Sequence, residues 1–452
     1  MSAQQIGSVF ELQSAVEPLI EESNFPALAK VVEAASPEQV ASLLGRLPTK
    51  EQAIVYRLLQ KDQAIQVFEL ISPAMQGDLI HGLQDAHVAQ IFADLDPDDR
   101  VWLLDELPAG LAPRLLHGLT PKERQLTAEV LGYPKGSVGR RMTPEYVTAK
   151  VGATVQKTLK RVRERLDEAE TIYTLPVVDS ARYVVGVVSL RDLLRAEPDD
   201  AISDIMQEPE VATAYQDADV AARKCVNLGY IALPIVDRES RLVGVLTLDD
   251  AAKILEHEET EQSAHQGGVA PLRRPYLATP IKSLVTSRIV WLLVLAVGAT
   301  LTVQVLSVFE TTLEQVTVLA LFVPLLIGTG GNTGNQAATT VTRAIALGDV
   351  RPHDVGKVLT REMATGLSLG LLLGALGGGI TALVFEPEVG LVIGLTLVAV
   401  CTVAASFGGI MPIVARKLNV DPAVFSNPFI STFVDATGLV IYFLIARAVL
   451  GI

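Results

Sequence analysis

The sequence predicts a multidomain protein with an all-α solenoid N domain, a tandem α/β pair, a connecting helix and a transmembrane domain of five α-helices. Three observations support this fold class. Leucines recur every twelfth residue in the first region, one strand–turn–strand–helix segment occurs twice, and five long apolar stretches follow. The expected domain boundaries are 1–135, 136–200, 201–255, 256–283 and 284–452.

The 452 residues carry a formal net charge of -14, and this charge is unevenly distributed. Of the 51 acidic and 37 basic residues, nine of each lie in 281–452, which leaves 42 acidic and 28 basic residues before it. The sequence therefore predicts an acidic soluble part followed by an uncharged membrane part. An acidic surface argues against nucleic acid as a partner and favours cations.

A twelve-residue repeat predicts short stacked helices in the first region. Its members are Leu47, Leu59, Ile71, Leu83, Leu95, Leu107, Leu119 and Leu131. Ser72, Asp96 and Thr120 each precede a proline, and a capping side chain before proline at the first helical position predicts a helix start. Stacked helices of this kind form a solenoid. An ordinary bundle of short helices is the alternative.

Two segments share one pattern: LPVVDSARYVVGVVSLRDLL at 175–194 and LPIVDRESRLVGVLTLDDAA at 233–252. Each predicts a strand, a turn, a second β-branched strand, and a helix opened by Ser or Thr and then Asp. Over about residues 138–256 the chain resembles a tandem pair of CBS domains, a regulatory module that commonly binds adenine nucleotides or ions. The match is specific because the pattern occurs twice.

The resemblance to CBS domains implies a candidate ATP site, because the family's Gly-x-x-Ser/Thr-x-x-Asp stretch can hold ribose and phosphate. The candidate residues here are Gly186, Ser189, Arg191 and Asp192, with Tyr173 as a base-stacking ring. A capped helix start after a core strand explains the same stretch equally well. Both interpretations stay open.

A polar connecting helix is predicted at about residues 256–266, with Gly267-Gly268 as its end. Five apolar stretches then predict five membrane spans: 288–309, 316–346, 363–385, 391–416 and Pro428–Leu450. Glycines four residues apart in the third span predict close packing of another helix. They are Gly366, Gly370, Gly374 and Gly378.

The charges between the spans predict the topology. The connections that carry Glu310 and Glu386 are acidic, whereas the connection that carries Arg351 and Lys357 is basic. The positive-inside rule then predicts a multi-pass protein of the cell (inner) membrane with a cytoplasmic N-terminus and its C-terminus outside. Arg447, near the outer end, is an exception.

Asp435 lies inside the last apolar stretch, Pro428–Leu450. A lone carboxylate at the bilayer centre costs about 2.5–3.5 kcal/mol on insertion scales, so it is expected to face protein or water. A structural acid that bonds to neighbouring hydroxyls is the alternative. Intramembrane acids more often mark an ion path.

The second span reads VPLLIGTGGNTGNQAATTVTR from Val323 onward. Pro324 and the four glycines that follow it predict a broken helix, which is tolerated at membrane depth only inside protein or beside water. Asn332, Asn335 and Gln336 add polar groups there. The predicted topology brings this segment and Asp435 to similar depth.

These parts, in this order, resemble the MgtE family of magnesium channels over nearly the whole chain. The segments that carry the resemblance are GNTGNQAATTVTRAIALGDV at 331–350 and DPAVFSNPFISTFVDATG at 421–438. The resemblance implies a homodimer in the lipid bilayer whose pore admits Mg²⁺ to the cytoplasm. The implied pore residues are Asp435, Asn332, Gln336, Ala337 and Thr340. A polar ring suits Mg²⁺, which prefers oxygen ligands and dehydrates reluctantly.

The same resemblance implies regulatory Mg²⁺ that binds between the N domain, the CBS pair and the connecting helix and holds the pore shut. The matching acids are Asp98, Asp99, Asp217, Asp219, Asp249, Asp250, Glu256, Glu258, Glu259 and Glu261. Lys253 and Gln262 stand where the family often has further acids. Some of these sites are therefore expected to be weaker or missing.

Two other functions share many of these features: a broader transporter for Co²⁺ or Mn²⁺, and a membrane Mg²⁺ sensor that does not conduct. The polar second span favours conduction, because a sensor needs no polar membrane core. The sequence shows no nucleophile–base set and no phosphate loop, so an enzyme is not expected.

Overall fold

The structure is a computed structural model that describes residues 8–82, 85–107, 111–272, 274–418 and 427–451. The chain forms two compact units. The first comprises Met1–Glu259 and Leu272–Pro280, and the second comprises Thr260–Pro271 and Ile281–Ile452. Each unit is described separately.

The first unit begins with ten short helices. Their bounds are α1 Val9–Glu21, α2 Phe25–Glu33, α3 Pro37–Leu44, α4 Thr49–Arg57, α5 Lys61–Leu70, α6 Pro73–Gly82, α7 Asp85–Asp94, α8 Pro97–Glu106, α9 Ala112–Gly118 and α10 Pro121–Leu131. The helices α3 to α8 begin at 37, 49, 61, 73, 85 and 97, so the twelve-residue period of the sequence is one helix and its connection.

Many helices of this array contact the helix two positions further on: α1 with α3, α3 with α5, α4 with α6, and α6 with α8. The repeated apolar residues form its core. Leu47, Leu95 and Leu119 are buried, and Leu131 packs against the same cluster. Leu83 lies outside the described residues. The predicted stack of short helices is therefore present.

The predicted helix starts are correct, but one predicted cap is not. Thr120 and Glu123 form a reciprocal capping box at the start of α10. Asp96 precedes α8 without a side-chain capping hydrogen bond. Its carboxyl instead lies near the charges of Arg100 and Asp250.

Two three-stranded sheets follow. One contains β1 Ala149–Lys150, β2 Thr174–Val178 and β3 Val184–Ser189, and the other contains β4 Ala212–Thr213, β5 Ala232–Val236 and β6 Leu242–Thr247. In each sheet the first pair of strands is parallel and the second is antiparallel. The helices around them are α11 Val155–Glu164, α12 Leu190–Arg195, α13 Ile202–Ile205, α14 Ala218–Leu228 and α15 Leu248–Gln266. The duplication in sequence is thus a duplication in structure.

The predicted connecting helix is the continuation of α15, which leaves the second sheet at Leu248 without interruption. It ends at Gln266, close to the predicted glycines. Gly268 has a φ of 65°, a conformation that glycine adopts without steric cost and that ends helices.

The second unit contains five long helices and one short one. Their bounds are α16 Ile281–Val308, α17 Glu310–Gln315, α18 Leu319–Ala346, α19 Val355–Val384, α20 Pro387–Lys417 and α21 Asn427–Leu450. In the parts of the chain that the structure describes, four segments are long and apolar enough to cross a membrane: Ile281–Val308, Pro352–Val384, Pro387–Lys417 and Pro428–Leu450. The fifth long helix, α18, has 28 residues and carries the polar stretch.

The glycine stripe of α19 packs against α20, as predicted. A Cβ atom on Gly366 would lie 2.5 Å from the Cys401 carbonyl oxygen, and one on Gly378 would lie 2.7 Å from that of Gly390. The two backbones approach this closely because the stripe carries no side chains.

The predicted break in the second span is wrong, because α18 is a continuous helix from Leu319 to Ala346. Pro324 lies near its N-terminus, where little of the helix precedes the missing N–H. The glycines serve packing instead. A Cβ on Gly330 would lie 2.6 Å from a methyl of Val400 and 2.8 Å from one of Val434.

Two glycines of α19 give a test of this packing. We expect Gly370→Ala to lower stability by about 1–3 kcal/mol, because the new methyl would lie 2.7 Å from the Cα of Val398. The matched control is Gly379→Ala, whose Cβ has no neighbour within 4 Å. It should be neutral or stabilising by up to about 1 kcal/mol. Thermal unfolding of the full chain in detergent measures both, and equal shifts would contradict the packing role.

Candidate functional site

A polar stripe runs along one exposed face of α18. Asn332, Gln336 and Thr340 are spaced four residues apart, so they lie above one another on the helix surface, and all three are exposed. The Thr340 hydroxyl donates to the Gln336 carbonyl oxygen at 2.8 Å. Ala337 is 5% exposed and lies on the buried side of the helix.

The opposite side of this α18 segment packs against α21, the helix that carries Asp435. Asn335 Nδ2 donates to Ser431 Oγ at 2.9 Å. Gly330 approaches Val434, so Asp435, the next residue of α21, lies at the level of the turn that bears Asn332. The helix contact therefore agrees with the similar depth expected from the topology.

The half-buried carboxylate of Asp435 and the exposed amides and hydroxyl of α18 therefore lie on two helices that pack together. Among the described residues, Asp435 has no ion pair. An intramembrane carboxylate of this kind attracts cations, and the exposed amides and hydroxyl can bind the water shell of an ion. The chemistry of the stripe therefore suits a hydrated cation.

The first unit contains a second candidate site, the acid triad Asp98, Asp99 and Asp250. Each offers a carboxylate oxygen within 4.8 Å of the others, and within the described residues this is the one such group that could hold a metal ion. Asp98 and Asp99 lie in the first turn of α8, and Asp250 lies in the first turn of α15. The Thr247 hydroxyl fixes Asp250 through a 2.6 Å hydrogen bond to Oδ2.

Burial of the triad destabilises the charged form of its carboxylates. Asp98 is 4% exposed, and its buried Oδ1 has no hydrogen-bond partner. Burial, and then the charges of Asp250 and Glu170, raise the pKa of Asp98 well above its ordinary value. Burial raises the pKa of Asp99 to about 6, although Lys253 opposes the shift. A divalent cation would relieve this repulsion, which protonation relieves at low pH.

Lys253 occupies part of the same site. Its Nζ lies 3.0 Å from Asp250 Oδ1 and 4.0 Å from Asp99 Oδ1. Burial alone would lower the pKa of Lys253, but these carboxylates more than offset it and raise the pKa. The Lys253 ammonium therefore links α8 and α15 through its ion pairs with Asp99 and Asp250.

The sequence analysis missed three acids around the triad: Glu170, Asp96 and Glu69. Burial and the charge of Asp250 raise the pKa of Glu170 to about 9, and its buried Oε2 has no hydrogen-bond partner. Burial and then Asp99 raise the pKa of Glu69 to about 7. Asp96 lies two residues before Asp98 in the sequence, whereas no local pattern marks Glu170 and Glu69, which the fold brings to the site.

The other predicted regulatory acids lie outside the triad. Asp217 and Asp219 lie at the start of α14, where Asp217 is exposed. Asp249 is exposed beside Asp250 and raises the pKa of Glu170. Four more follow along α15: Glu256, Glu258, Glu259 and Glu261. Gln262 lies on the same helix.

In the candidate ATP stretch, Ser189 caps the start of α12, which is the capped helix start that one of the two interpretations predicted. Ser189 Oγ donates to Asp192 Oδ2 at 2.6 Å and accepts from the Asp192 N–H at 3.1 Å. Gly186 leaves room for Met206, whose sulfur would lie 2.6 Å from an added Cβ. Tyr173 and Arg191 are exposed and remain available to a ligand.

Family models match the chain in three consecutive regions. The MgtE intracellular N domain matches residues 35–136, the CBS domain matches 136–199 and 202–257, and the MgtE model, described as a divalent cation transporter, matches 323–445. The chain resembles a solved structure described as the cytosolic domain of the Mg²⁺ channel MgtE in complex with ATP. The TM-score is 0.50 and the identity is 31%, over 54% of this chain and 100% of the other.

Two curated relatives cover almost the whole chain. The magnesium transporter MgtE of Bacillus subtilis is 27% identical over 437 residues, which are 95% of this chain and 95% of the relative. The magnesium transporter MgtE of Thermus thermophilus is 36% identical over 448 residues, which are 97% of this chain and 99% of the relative. The chain therefore belongs to the MgtE family.

Proposed function

We propose that this chain is a Mg²⁺ channel or transporter that admits Mg²⁺ to the cytoplasm. The observation that carries the proposal is that the helix of the intramembrane Asp435 packs against α18, which bears the exposed polar stripe of Asn332, Gln336 and Thr340. Mg²⁺ keeps most of its water, so amides and hydroxyls that bind the water shell suit its passage. Ala337, which is buried, would contribute through its backbone. Magnesium transporters among the relatives support the ion assignment.

We propose that the pore forms between two copies of the chain. The stripe is exposed in the single chain, and polar groups that face lipid are costly. A two-fold axis beside the stripe would pair it with itself and place one Asp435 from each subunit near the ion path.

The proposed topology keeps the N-terminus in the cytoplasm and the C-terminus outside. Arg447, the exception to the positive-inside rule, has partners at its end of the unit. Its Nε donates to Thr312 Oγ1 at 3.0 Å, and its guanidinium lies 4.8 Å from the ring centroid of Phe309. These contacts explain a cation at the proposed outer end.

The pore assignment predicts that Asp435→Ala reduces Mg²⁺ flux to the background of empty liposomes, because the mutation removes the carboxylate of the ion path. Asp435→Asn should also fail if the charge is essential. The control is Glu388→Gln, which removes a charge from the first turn of α20. Flux into liposomes with Mg²⁺, Co²⁺ and Mn²⁺ compared gives the ion ranking. Wild-type flux through folded Asp435→Ala would contradict the assignment, and absence of wild-type flux for every ion would favour a sensor.

We further propose that cytosolic Mg²⁺ at the acid triad favours a closed pore. The ion would bridge α8 and α15 and relieve the repulsion among Asp98, Asp99 and Asp250. Glu170 is a further candidate ligand, since its unpartnered oxygen is buried nearby. By linkage, an ion that binds the compact state more tightly must favour that state. The remaining predicted acids on α14 and α15 are candidates for additional sites.

A connection from the helical array toward the membrane part supports this gate. Arg274 donates to Asp78 Oδ1 of α6 at 2.6 Å. A Cβ on Gly45 would lie 3.0 Å from Pro275. The array thus holds residues 274 and 275 within the first unit, and the chain continues from this segment into α16.

The Lys253 ammonium predicts weakened Mg²⁺ binding at the triad. Unit charges 4 Å apart interact by about 4 kcal/mol at an effective dielectric of 20, so Lys253→Met should tighten Mg²⁺ binding by at least about ten-fold. The control is Lys224→Met, since Lys224 pairs with Glu210 at 2.7 Å. Trp102 of α8 reports binding by fluorescence in the full chain with Trp291→Phe. Equal affinities in both variants would contradict the competition.

The raised pKa values predict that Mg²⁺ stabilises the protein more as the pH rises. The pKa is about 6 for Asp99 and about 9 for Glu170, whereas unfolded carboxyls titrate near pH ~4. Between about pH 4 and 9 the ion-free folded state therefore holds protons that the unfolded chain has lost, and its stability falls as the pH rises. Mg²⁺ displaces these protons and offsets the loss.

The measurement is the gain in Tm of the full chain at saturating Mg²⁺, which should be larger at about pH 8.5 than at about pH 5.5. Glu170→Gln should reduce the dependence above about pH 6, and the raised pKa values of Asp98 and Glu69 should retain part of it. A gain that is constant with pH in the wild type would argue against metal at these carboxylates.

We also propose ATP as a ligand of the CBS pair, with Tyr173, Arg191 and Asp192 as the contacting residues. The support is the exposure of Tyr173 and Arg191 beside the capped start of α12, together with the ATP complex of the related cytosolic domain.

A further inference from the structure

A basic cavity lies in the first unit, away from the acid triad. It has a volume of about 930 Å³, which falls in the range of small-molecule sites. Its walls come from α10, β1, α11 and the turn between β2 and β3. Six cationic side chains line it: Lys122, Lys150, Lys157, Arg161, Arg165 and Arg182.

The three acids of the cavity do not balance these cations. Asp179 Oδ1 already accepts from two backbone N–H groups of its turn, at 2.8 and 2.9 Å. Glu168 lies 3.1 Å from Arg165 and 3.9 Å from Lys122. The third acid is Glu145. The cavity is therefore a concentration of positive charge in a chain whose net charge is -14.

Four of the cations have no ion pair among the described residues: Lys150, Lys157, Arg161 and Arg182, of which Arg182 donates to the Leu242 carbonyl oxygen at 2.7 Å. The Nε of Arg161 is also buried without a hydrogen-bond partner. Lys157 and Arg161 are four residues apart on α11, so they lie on one face of the helix, and Arg165 is its C-terminal cap residue. A buried donor without a partner costs stability unless a ligand accepts from it.

The second CBS repeat shows that the fold does not require these charges. The buried residues Val155, Thr158 and Val162 of α11 correspond to Ala218, Ala221 and Cys225 of α14. In this register Val220 replaces Lys157 and Leu228 replaces Arg165. Thr213 of β4 replaces Lys150 of β1. Lys224 is the equivalent of Arg161, and it is paired with Glu210 at 2.7 Å.

We propose that this cavity binds a small phosphate-bearing anion, free or esterified, held chiefly by Lys150, Lys157 and Arg161. Phosphate accepts several charge-assisted hydrogen bonds at once, which matches a row of ammonium and guanidinium donors. Apolar lining from Leu126, Val151 and Leu242 leaves room for an organic part. None of the lining residues belongs to the candidate ATP stretch or to the acid triad. A bound anion would contact both α10 and the first CBS repeat.

Calorimetric titration of the full chain in detergent tests the proposal, with pyrophosphate as the probe at fixed ionic strength and without divalent metal. The wild type should bind saturably. Lys150→Thr with Lys157→Val, which installs the residues of the second repeat, should weaken binding by at least about ten-fold. The matched control is Lys160→Val with Arg163→Val, which removes two cations from α11 that do not line the cavity. It should bind as the wild type does.

Two further measurements identify the kind of anion and the site at which it binds. Orthophosphate and glycerol 3-phosphate should compete with pyrophosphate, and their ranking tells a free phosphate from an ester. Arg191→Ala in the candidate ATP stretch should leave pyrophosphate binding unchanged. Equal weakening in the cavity and control variants, loss of binding only in Arg191→Ala, or no saturable binding by the wild type would each overturn the proposal. Mg²⁺ flux is not used as the readout, so this test is independent of the pore assignment.

Discussion

Carboxylates held away from water are the constraint on which both candidate sites depend. Asp98 is buried with an unpartnered oxygen, and its neighbour Asp250 divides its two oxygens between Thr247 and Lys253. Such a group is stable only if protons, an ammonium or a metal ion neutralise it. The carboxylates lie close together because α8 and α15, the helices that carry them, begin beside one another. A state whose stability depends on an added cation can respond to the concentration of that cation.

The two sites meet this constraint in opposite ways. At the acid triad several carboxylates converge on one small volume, which favours tight and direct coordination of a divalent ion. Asp435 lies on a helix that packs against the one bearing the neutral amides and hydroxyl, and the described residues give this carboxylate no ion pair. Weaker binding of a hydrated ion lets the ion leave again, which conduction requires. The two candidate sites thus arrange oxygen ligands in different ways.

The sequence predicted the parts of this structure that repeat or alternate. The twelve-residue period became helices that begin every twelve residues from Pro37 to Pro97, and the duplicated segment became two equivalent sheets. It did not predict Glu170 beside Asp98, or Lys253 within 3.0 Å of Asp250 in place of a metal. Contacts between distant residues leave no periodic pattern. The glycines of α18 were misread because glycine permits both a bend and close helix packing, and only the neighbouring helices decide between them.

The two CBS repeats show how one scaffold can serve opposite charges. Ser189–Asp192 and Thr247–Asp250 make the same 2.6 Å hydrogen bond at the same helix start. In the second repeat the aspartate joins the acid triad, whereas in the first it lies beside the exposed Arg191. The first repeat also carries the cations of α11, and the second has apolar or paired residues there. The buried residues of α11 and α14 are mostly apolar. Substitutions on the outer faces of these helices can therefore change the charge that a ligand meets without changing the fold. The second repeat therefore has a cluster of acids at its helix start, whereas the first has a cluster of cations on α11.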